Sequence, residues 1–349
     1  MNLNSFRTLG RSGLVVSPLT LGTMTFGTPR WGSSDEVSQA IFNAYIDAGG
    51  NFVDTADVYS GGRSEELLGG FINSRKLRDK LVLATKFTFN TEPGNPNAGG
   101  NGRKNIYSSI EGSLRRLKTD YIDLYWLHAW DMVTPVEEVL QSLGDLVRAG
   151  KIRYFGFSNM PAWYVAKAAT LATAYHVPGP IALQLEYSLV ERSIEREHLP
   201  TAREFGLGIT PWSPLAAGFL VGKYQREGAG ATGEGRLIGS NPFGNQKFTD
   251  RNWHVLDILQ KVAVEADRPP AQVALAWASA QPGITSLILG ASKVEQLHDN
   301  IASLEINLNP EQSKVLEEGS ALGPVYPYPI FSPKVNQGIF GGETIEGWQ

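Results

Sequence analysis

No cysteine occurs among the 349 residues. Its absence excludes a disulfide scaffold, a thiol nucleophile and cysteine-ligated zinc or iron–sulfur centres, and it suits a reducing compartment. Positive charge is not in surplus either. Lys and Arg number 31 against 35 Asp and Glu, a net charge of −4 with both signs spread along the chain. That argues against a nucleic-acid or membrane-surface partner, which needs a basic face. No apolar run approaches the about 18 residues of a membrane span, and Met1 to Gly10 lacks the apolar core of a signal peptide. The expectation is a soluble, unexported, cytoplasmic protein. What the chain does have is 42% apolar and 19% charged residues, enough for a large core. Its 38 glycines and 20 prolines imply many loops.

One pattern recurs along the chain: a short apolar run, a polar or glycine-containing stretch, then an amphipathic helical stretch. The runs are Leu19–Gly22, Asn51–Asp54, Leu81–Lys86, Ile122–His128, Tyr154–Ser158, Ala182–Glu186, Leu207–Trp212 and Ser286–Gly290. Continuous apolar runs of this length read as strands buried on both faces of a parallel sheet. Val37, Ala40, Ile41, Ala44, Tyr45 and Ala48 keep helical spacing, with Ser33 and Glu36 placed as a capping box and Gly49 as the stop. Val136 to Val147 repeats that spacing before Gly150. Further helices fit Arg103–Leu117, Pro161–Tyr175, Glu195–Phe205, Pro270–Ser279 and Lys293–Ser303. Eight such units predict an α/β fold, a single (β/α)8 TIM barrel spanning residues 1–349, with its core over about 19–303. An open doubly wound sheet is the second choice.

Three segments fall outside the repeat. Phe6 to Val16 reads as an N-terminal β-hairpin plugging the barrel bottom. Residues 87–102 and 213–250 read as long rim loops after the third and seventh strands. A C-terminal helix and extended tail, 310–349, carries Pro and aromatic residues from Gly323 onward and is expected to drape over a surface. Gly228-Ala-Gly-Ala-Thr-Gly233 matches a dinucleotide fingerprint by letters, yet no strand is expected before it and no helix after it. A flexible loop is the reading taken. Gly218-Phe-Leu-Val-Gly-Lys223 is one residue short of a phosphate loop, and no metal-binding motif occurs.

Barrel active sites lie at the C-terminal ends of the strands. Asp54, Lys86 and His128 end the second, third and fourth runs, and Tyr59 follows just after the second. These types suit acid–base work on a polar double bond. Lys86 beside Tyr59 is expected to lower the phenol's pKa, Asp54 to keep Lys86 charged, and His128 to donate a hydrogen bond to a carbonyl oxygen. Each has a structural alternative: Asp54 as a helix cap, Lys86 as a rim salt bridge, His128 as a satisfied core histidine. His176, His198, His254 and His298 read as surface residues.

The chain resembles the aldo-keto reductases from about Phe6 to Leu316. The resemblance rests on GTMTFG at 22–27, NFVDTADVY at 51–59, LATK at 83–86, DLYWLH at 123–128, GFSN at 156–159, QLEYSL at 184–189, WSPLAAG at 212–218 and LGASKVEQLHDN at 289–300. It implies an NADP(H)-dependent oxidoreductase that reduces a small-molecule aldehyde or ketone by hydride transfer. Asp54, Tyr59, Lys86 and His128 would be the catalytic tetrad, with Tyr59 the proton donor. Gly22, Thr23, Met24 and Asp54 would lie along the cofactor. Ser158, Asn159 and Gln184 would hold the carboxamide, and Trp212 would stack on the nicotinamide. Ser213, Leu215, Ala217, Lys223 and Arg236 would line the pyrophosphate and its covering loop. Gly290, Ser292, Lys293, Gln296 and Asn300 would hold the adenosine end. Ser292 is expected to begin a helix, whose free N–H groups favour an anion, although Ser292 and Glu295 also have capping-box spacing. Lys293 favours NADP over NAD.

Two other classes stay open. Lys86 could form a Schiff base in a lyase. The family also resembles potassium-channel β-subunits, so a nicotinamide-binding redox-sensing module with little turnover is the other. For substrate, Trp31, Phe87 and Trp130, with tail residues Tyr326, Tyr328 and Phe331, could form an apolar pocket or simply pack loops onto the rim. A pocket would suit bulky, cyclic or xenobiotic ketones of sugar-like, terpenoid or mycotoxin type.

Overall fold

The computed structural model describes residues 1–28, 32–228, 230–238 and 247–345. A hairpin of β1 (Arg7–Thr8) and β2 (Val15–Val16) precedes the repeat. Strands β3 (Leu19–Gly22), β4 (Phe52–Asp54), β5 (Val82–Phe87), β6 (Ile122–Leu127), β7 (Ile152–Ser158), β8 (Ala182–Gln184) and β9 (Gly208–Ile209) then pair in parallel, each with the next. A separate antiparallel pair, β10 (Gln225–Glu227) and β11 (Gly230–Thr232), comes before the last strand, β12 (Leu287–Leu289), which pairs with β3. The circle closes where Thr285 N and Ile288 N donate to Ile209 O and Pro211 O, both at 2.8 Å. The fold is an α/β barrel of the (β/α)8 type.

Helices α1 (Asp35–Asp47), α2 (Arg63–Ser74), α3 (Arg103–Leu117), α4 (Val136–Arg148), α5 (Ala162–Tyr175) and α6 (Ile194–Phe205) cross over between successive strands. After β9 come α7 (Asp250–Glu265) and α8 (Pro270–Ala280), and after β12 come α9 (Val294–Ala302), α10 (Pro310–Gly319) and α11 (Pro333–Ile339). Apolar stripes explain the crossovers: in α4 the residues facing the sheet are Val136, Val139, Leu140, Leu143 and Leu146, all buried. Ser34, not Ser33, caps α1, its side chain accepting from Val37 N at 3.4 Å. Three helices escape sequence reading, α2, α7 and the short α11 within the expected extended tail. In α2 the pair Gly69-Gly70 weakens the helical pattern, and its N-cap is a left-handed Gly62 rather than a polar residue.

Strand alternation divides the core in two. Phe52, Val82, Ala84, Leu124, Trp126 and Ala182 fill the barrel interior together with Leu9 and Val16 of the hairpin. Their neighbours Val53, Leu83, Phe87, Tyr125 and Leu127 face outward into the helical layer. Gly156 makes room for the Trp126 ring, which occupies the space any Cβ there would take. The hairpin seals the lower end as expected. Gly10, at φ 61°, runs so close to the barrel that a Cβ would come within 2.6 Å of Gly206 O, Gly208 N and Ile181 O.

The tail does drape rather than fold inward. Arg196 Nη2 donates to Gly323 O at 2.8 Å, Tyr328 Oη donates to Glu197, and Tyr326 and Phe331 are exposed.

Candidate active site

The pleat that buries Phe52, Ala84 and Trp126 carries the next inward positions to the barrel mouth. Two residues beyond Phe52 is Asp54, two beyond Ala84 is Lys86, and two beyond Trp126 is His128. Tyr59 arrives from the turn after β4, where Ser60 (φ 50°) and Gly61 (φ 64°) are left-handed. Asp57 N donates to Lys86 O at 3.0 Å and Ser60 Oγ to Phe26 O at 3.1 Å, so the turn is tied to the end of β5 and to the loop after β3.

The four side chains meet. Lys86, 1% exposed, gives its ammonium to Asp54 Oδ2, to Thr55 O at 2.8 Å and to Tyr59 Oη at 3.3 Å. Gln184 Nε2 donates to the other Asp54 oxygen at 3.1 Å. The His128 ring lies edge-on to Tyr59, centroids 5.7 Å apart, and its Nδ1 is buried with no partner among the described residues.

Electrostatics follow from burial. Desolvation opposes the Lys86 ammonium, but Asp54 and Tyr59 overcome it and the pKa is raised, so Lys86 stays charged. Burial pushes the Asp54 carboxyl up while Lys86 and Gln184 pull it back. As an ion pair, Asp54 with Lys86 adds no net charge to the interior. Burial, then Lys86, holds His128 well below the ordinary histidine value, so the ring is neutral. Tyr59 corrects expectation: burial outweighs the attraction of Lys86, Asp54 adds to it, and the phenol's pKa is raised rather than lowered. The Tyr59 phenol is held neutral.

The other candidates line the same mouth. Thr23 N donates to Asp54 O at 2.9 Å, and the Thr23 hydroxyl is engaged with Ser64 Oγ at 2.8 Å. Gly22 packs its bare Cα against Ile288. Asn159 is left-handed (φ 51°), donates to His128 O at 2.9 Å and Ser158 Oγ at 3.0 Å, and accepts from Trp212 Nε1 at 3.1 Å. Ser158, Asn159, Gln184 and Trp212 thus form one hydrogen-bonded arc from β7 to the end of β9. Ser213, Ala216, Ala217 and Gly218 all take positive φ, and Ala217 N is fixed by Ser213 Oγ at 2.8 Å; Leu215 lies within this turn. Lys223 folds against Gly218 and Gly235, lowered in pKa by burial, and makes no ion pair among the described residues. Arg236 Nη2 is 3.6 Å from Met24 Sδ, and its charge reaches Tyr59. Across the mouth, Thr25 Oγ1 donates to Ala291 O at 2.8 Å, which sets Gly290 to Asn300 beside the β3 loop. Ser292 precedes the α9 cap, Lys293, and its N–H and hydroxyl both donate to Gln296, at 3.0 and 3.2 Å. The expected Ser292–Glu295 box is therefore a Ser292–Gln296 pair. Asn300 is buried in α9.

The aromatic candidates divide. Phe87 stacks on Tyr125 with centroids 4.7 Å apart in the outer layer, because strand alternation turns it away from the mouth. Trp130 does stand at the rim, edge-on to Trp163 at 5.6 Å. Trp31 lies outside the described residues. Sequence reading missed Phe89, which is 48% exposed and edge-on to His128 at 4.8 Å. The positive φ of Thr88 (128°) breaks the alternation before it, so no periodic signal reveals its direction. His198 is also not a surface residue: it meets Met160 O at 2.8 Å, and its Nδ1 is buried. A short strand, β10, does lead into the glycine run, but it pairs antiparallel with β11 and no helix follows before α7 among the described residues, so the strand–turn–helix geometry of a dinucleotide fingerprint is not met there.

Behind the mouth lies a second polar group. Glu65 of α2 is fully buried, accepts from Thr85 Oγ1 at 2.5 Å and pairs with Arg116 of α3 at 2.6 Å. Asp57 and the Tyr125 hydroxyl are buried beside it, and among the described residues neither the Asp57 oxygens nor the Tyr125 oxygen has a well-formed hydrogen bond. Burial and Glu65 raise the Asp57 carboxyl to about 7, against weaker pulls from Arg116, the Val58 N–H and Lys86. No cluster of three or more potential metal ligands occurs among the described residues, and no helix there is long and apolar enough to cross a membrane.

Residues 18–320 match the Aldo/keto reductase family. An uncharacterised oxidoreductase of Bacillus subtilis (strain 168) is 37% identical over 97% of this chain and 98% of its own length. A probable voltage-gated potassium channel subunit beta of Oryza sativa subsp. japonica is 36% identical over 86% of this chain and 91% of its own. An aryl-alcohol dehydrogenase [NADP(+)] of Phanerodontia chrysosporium is 35% identical over 91% and 86%. With the barrel and the buried Asp54–Lys86–Tyr59 chain at its mouth, the matches make this chain a member of the aldo/keto reductase family and an oxidoreductase.

Proposed function

We propose that the protein reduces an aldehyde or ketone to an alcohol with NADPH, Tyr59 giving the proton to the carbonyl oxygen. The observation that carries this reading is the contact of Tyr59 Oη with the Lys86 ammonium, itself held by Asp54. The positive charge makes the buried phenol a better donor as negative charge develops on the substrate oxygen. His128 is neutral; leaving Nδ1 as the buried acceptor puts its proton on Nε2, able to donate to the same oxygen. Asp54 and Thr55 O fix Lys86, and Gln184 fixes Asp54.

The residues fit a dinucleotide. The left-handed turn of 213–218 with Lys223 folded across it makes a positive cradle for a pyrophosphate. Ser158, Asn159 and Gln184 offer amide-recognising groups, Trp212 a ring face, and Gly290, Ser292, Lys293, Gln296 and Asn300 an adenosine end. Gly22, Thr23, Met24, Leu215, Ala217 and Arg236 complete the wall. Bound NADPH supplies the hydride. Lys293 favours its 2′-phosphate over NADH.

Phe89, Trp130 and Trp163 give the rim an aromatic side next to His128, so aryl and cyclic carbonyls are the proposed substrates. The fungal relative named for aryl alcohols agrees with this choice. The lyase reading is disfavoured because a Schiff-base nucleophile must be a neutral amine, and Lys86 is held charged by its partners. A borohydride-trapped adduct on Lys86 would restore it. A cofactor-binding module without turnover becomes the better reading if no carbonyl on a broad panel is reduced.

The deciding experiment is carbonyl-dependent loss of reduced-nicotinamide absorbance. Wild-type protein is expected to oxidise NADPH with an aromatic aldehyde, and Tyr59→Phe to lose about 10²–10⁴-fold in kcat with cofactor affinity kept. Full activity of Tyr59→Phe would remove Tyr59 as the acid.

A further inference from the structure

We propose that Asp57 is a positioning residue that holds the Tyr59 turn in working geometry only as the neutral acid, so that its ionisation releases the turn and slows the reaction. The inference rests on the reductase reading for its consequence and on the buried group behind the mouth for its cause.

Asp57 starts the turn that carries Tyr59. Its backbone N–H donates to Lys86 O at 3.0 Å, Tyr59 N to Ala56 O at 3.2 Å and Gly61 N to Val58 O at 3.2 Å. The turn needs these ties, since Ser60 is a non-glycine residue in the left-handed region. The Asp57 side chain is buried among charged and polar groups from four elements. Glu65 comes from α2, Arg116 from α3, Tyr125 from β6 and Lys86 from β5. Two carboxyls therefore share one region with Arg116, which is already committed to Glu65 at 2.6 Å. Lys86 is committed to Asp54, Thr55 and Tyr59.

A second buried negative charge here has no counter-ion of its own. Among the described residues neither Asp57 oxygen accepts a well-formed hydrogen bond, only a weak pull from the adjacent Val58 N–H, whereas a buried carboxylate ordinarily collects several. A neutral carboxyl costs far less in that place. The rise of Asp57 to about 7 agrees. Above that pH the new charge repels Glu65, and the carboxyl gains by moving towards water. The ties from Asp57 to Lys86 and from Tyr59 to Ala56 are the ones that give way. The titration of Tyr59 lies higher still, so it does not produce this step.

Amide hydrogen exchange of residues 57–62, corrected for intrinsic base catalysis, tests the turn without any substrate. In wild-type protein, exchange is expected to quicken by up to about tenfold per pH unit from about pH 4 and to level off above about 7, while Asp57→Asn, which copies the neutral acid, stays level across the same range. Single-turnover reduction of an aromatic aldehyde is expected to fall as pH rises through about 7 in wild type and to stay within about twofold in Asp57→Asn. Asp57→Ala, lacking the polar group, should be slow at every pH. Coincident exchange profiles for wild type and Asp57→Asn overturn the proposal even if both reduce carbonyls. The expected exchange difference with no carbonyl reduced at any pH sinks the reductase reading and leaves the positioning role standing.

Discussion

Lys86 shows how one residue sets the character of a site. A buried ammonium with three acceptors cannot act as a nucleophile, and its charge is spent on Tyr59. Asp54, Lys86 and His128 are legible in the sequence because strand ends are legible, and the period of two carries each inward. The same period would have excluded Phe87, one position past Lys86, since neighbours on a strand face opposite ways. Phe89 is hidden for a different reason: the backbone at Thr88 departs from strand geometry before it. Phe89→Ala is expected to raise KM for aromatic aldehydes about 5–10-fold, from about 1 kcal/mol of lost ring contact, and to leave small aliphatic aldehydes unchanged. Steady-state kinetics with a matched pair of substrates measures this. An equal effect on both would remove Phe89 from substrate recognition.

Among the elements, α2 is the one whose absence from sequence reading matters. Its glycine pair and unusual cap weaken the helical signature, and so the buried Glu65 on it also goes unnoticed. Tertiary packing makes that helix: Leu67, Leu68, Phe71 and Ile72 bury one face, and Glu65 ties it to α3 through Arg116. The hairpin and the other crossovers were legible because their apolar patterns are strong, and three of those helices stop at a glycine, Gly49, Gly150 or Gly206. Glu65→Ala leaves Arg116 without its partner and Thr85 Oγ1 without an acceptor. Arg116 is partly exposed and can hydrate, so the cost should fall to about 2–3 kcal/mol, below that of a fully buried broken pair. A urea titration gives the value, with the m-value expected to stay unchanged. A loss below about 0.5 kcal/mol would mean that packing alone holds α2 to α3.

At the scale of the whole molecule, Asp57 couples proton binding to folding. An ordinary aspartate in the unfolded chain loses its proton near pH 4, whereas the folded chain keeps it to about 7. The folded state therefore binds more protons over that window. The stabilisation is complete below about pH 4 and is lost as pH rises through about 7. It amounts to at most about 4 kcal/mol. Thermal unfolding of wild type and Asp57→Asn across pH 4–8 checks the sign: the difference should grow in favour of Asp57→Asn with rising pH. A difference independent of pH would show that Asp57 titrates alike in both states. The arrangement is invisible in sequence, because residues 57, 65, 116 and 125 are gathered only by the closed barrel and its helical jacket.

The sealed hairpin floor has a bearing on traffic. With Leu9, Val16 and Trp126 filling the lower barrel, the described residues close the approach to Lys86 from below and leave the upper mouth. Two molecules that must both reach that depth share a single doorway. The one whose binding surface lies deeper must enter first and leave last, so an ordered queue is built into the plugged barrel.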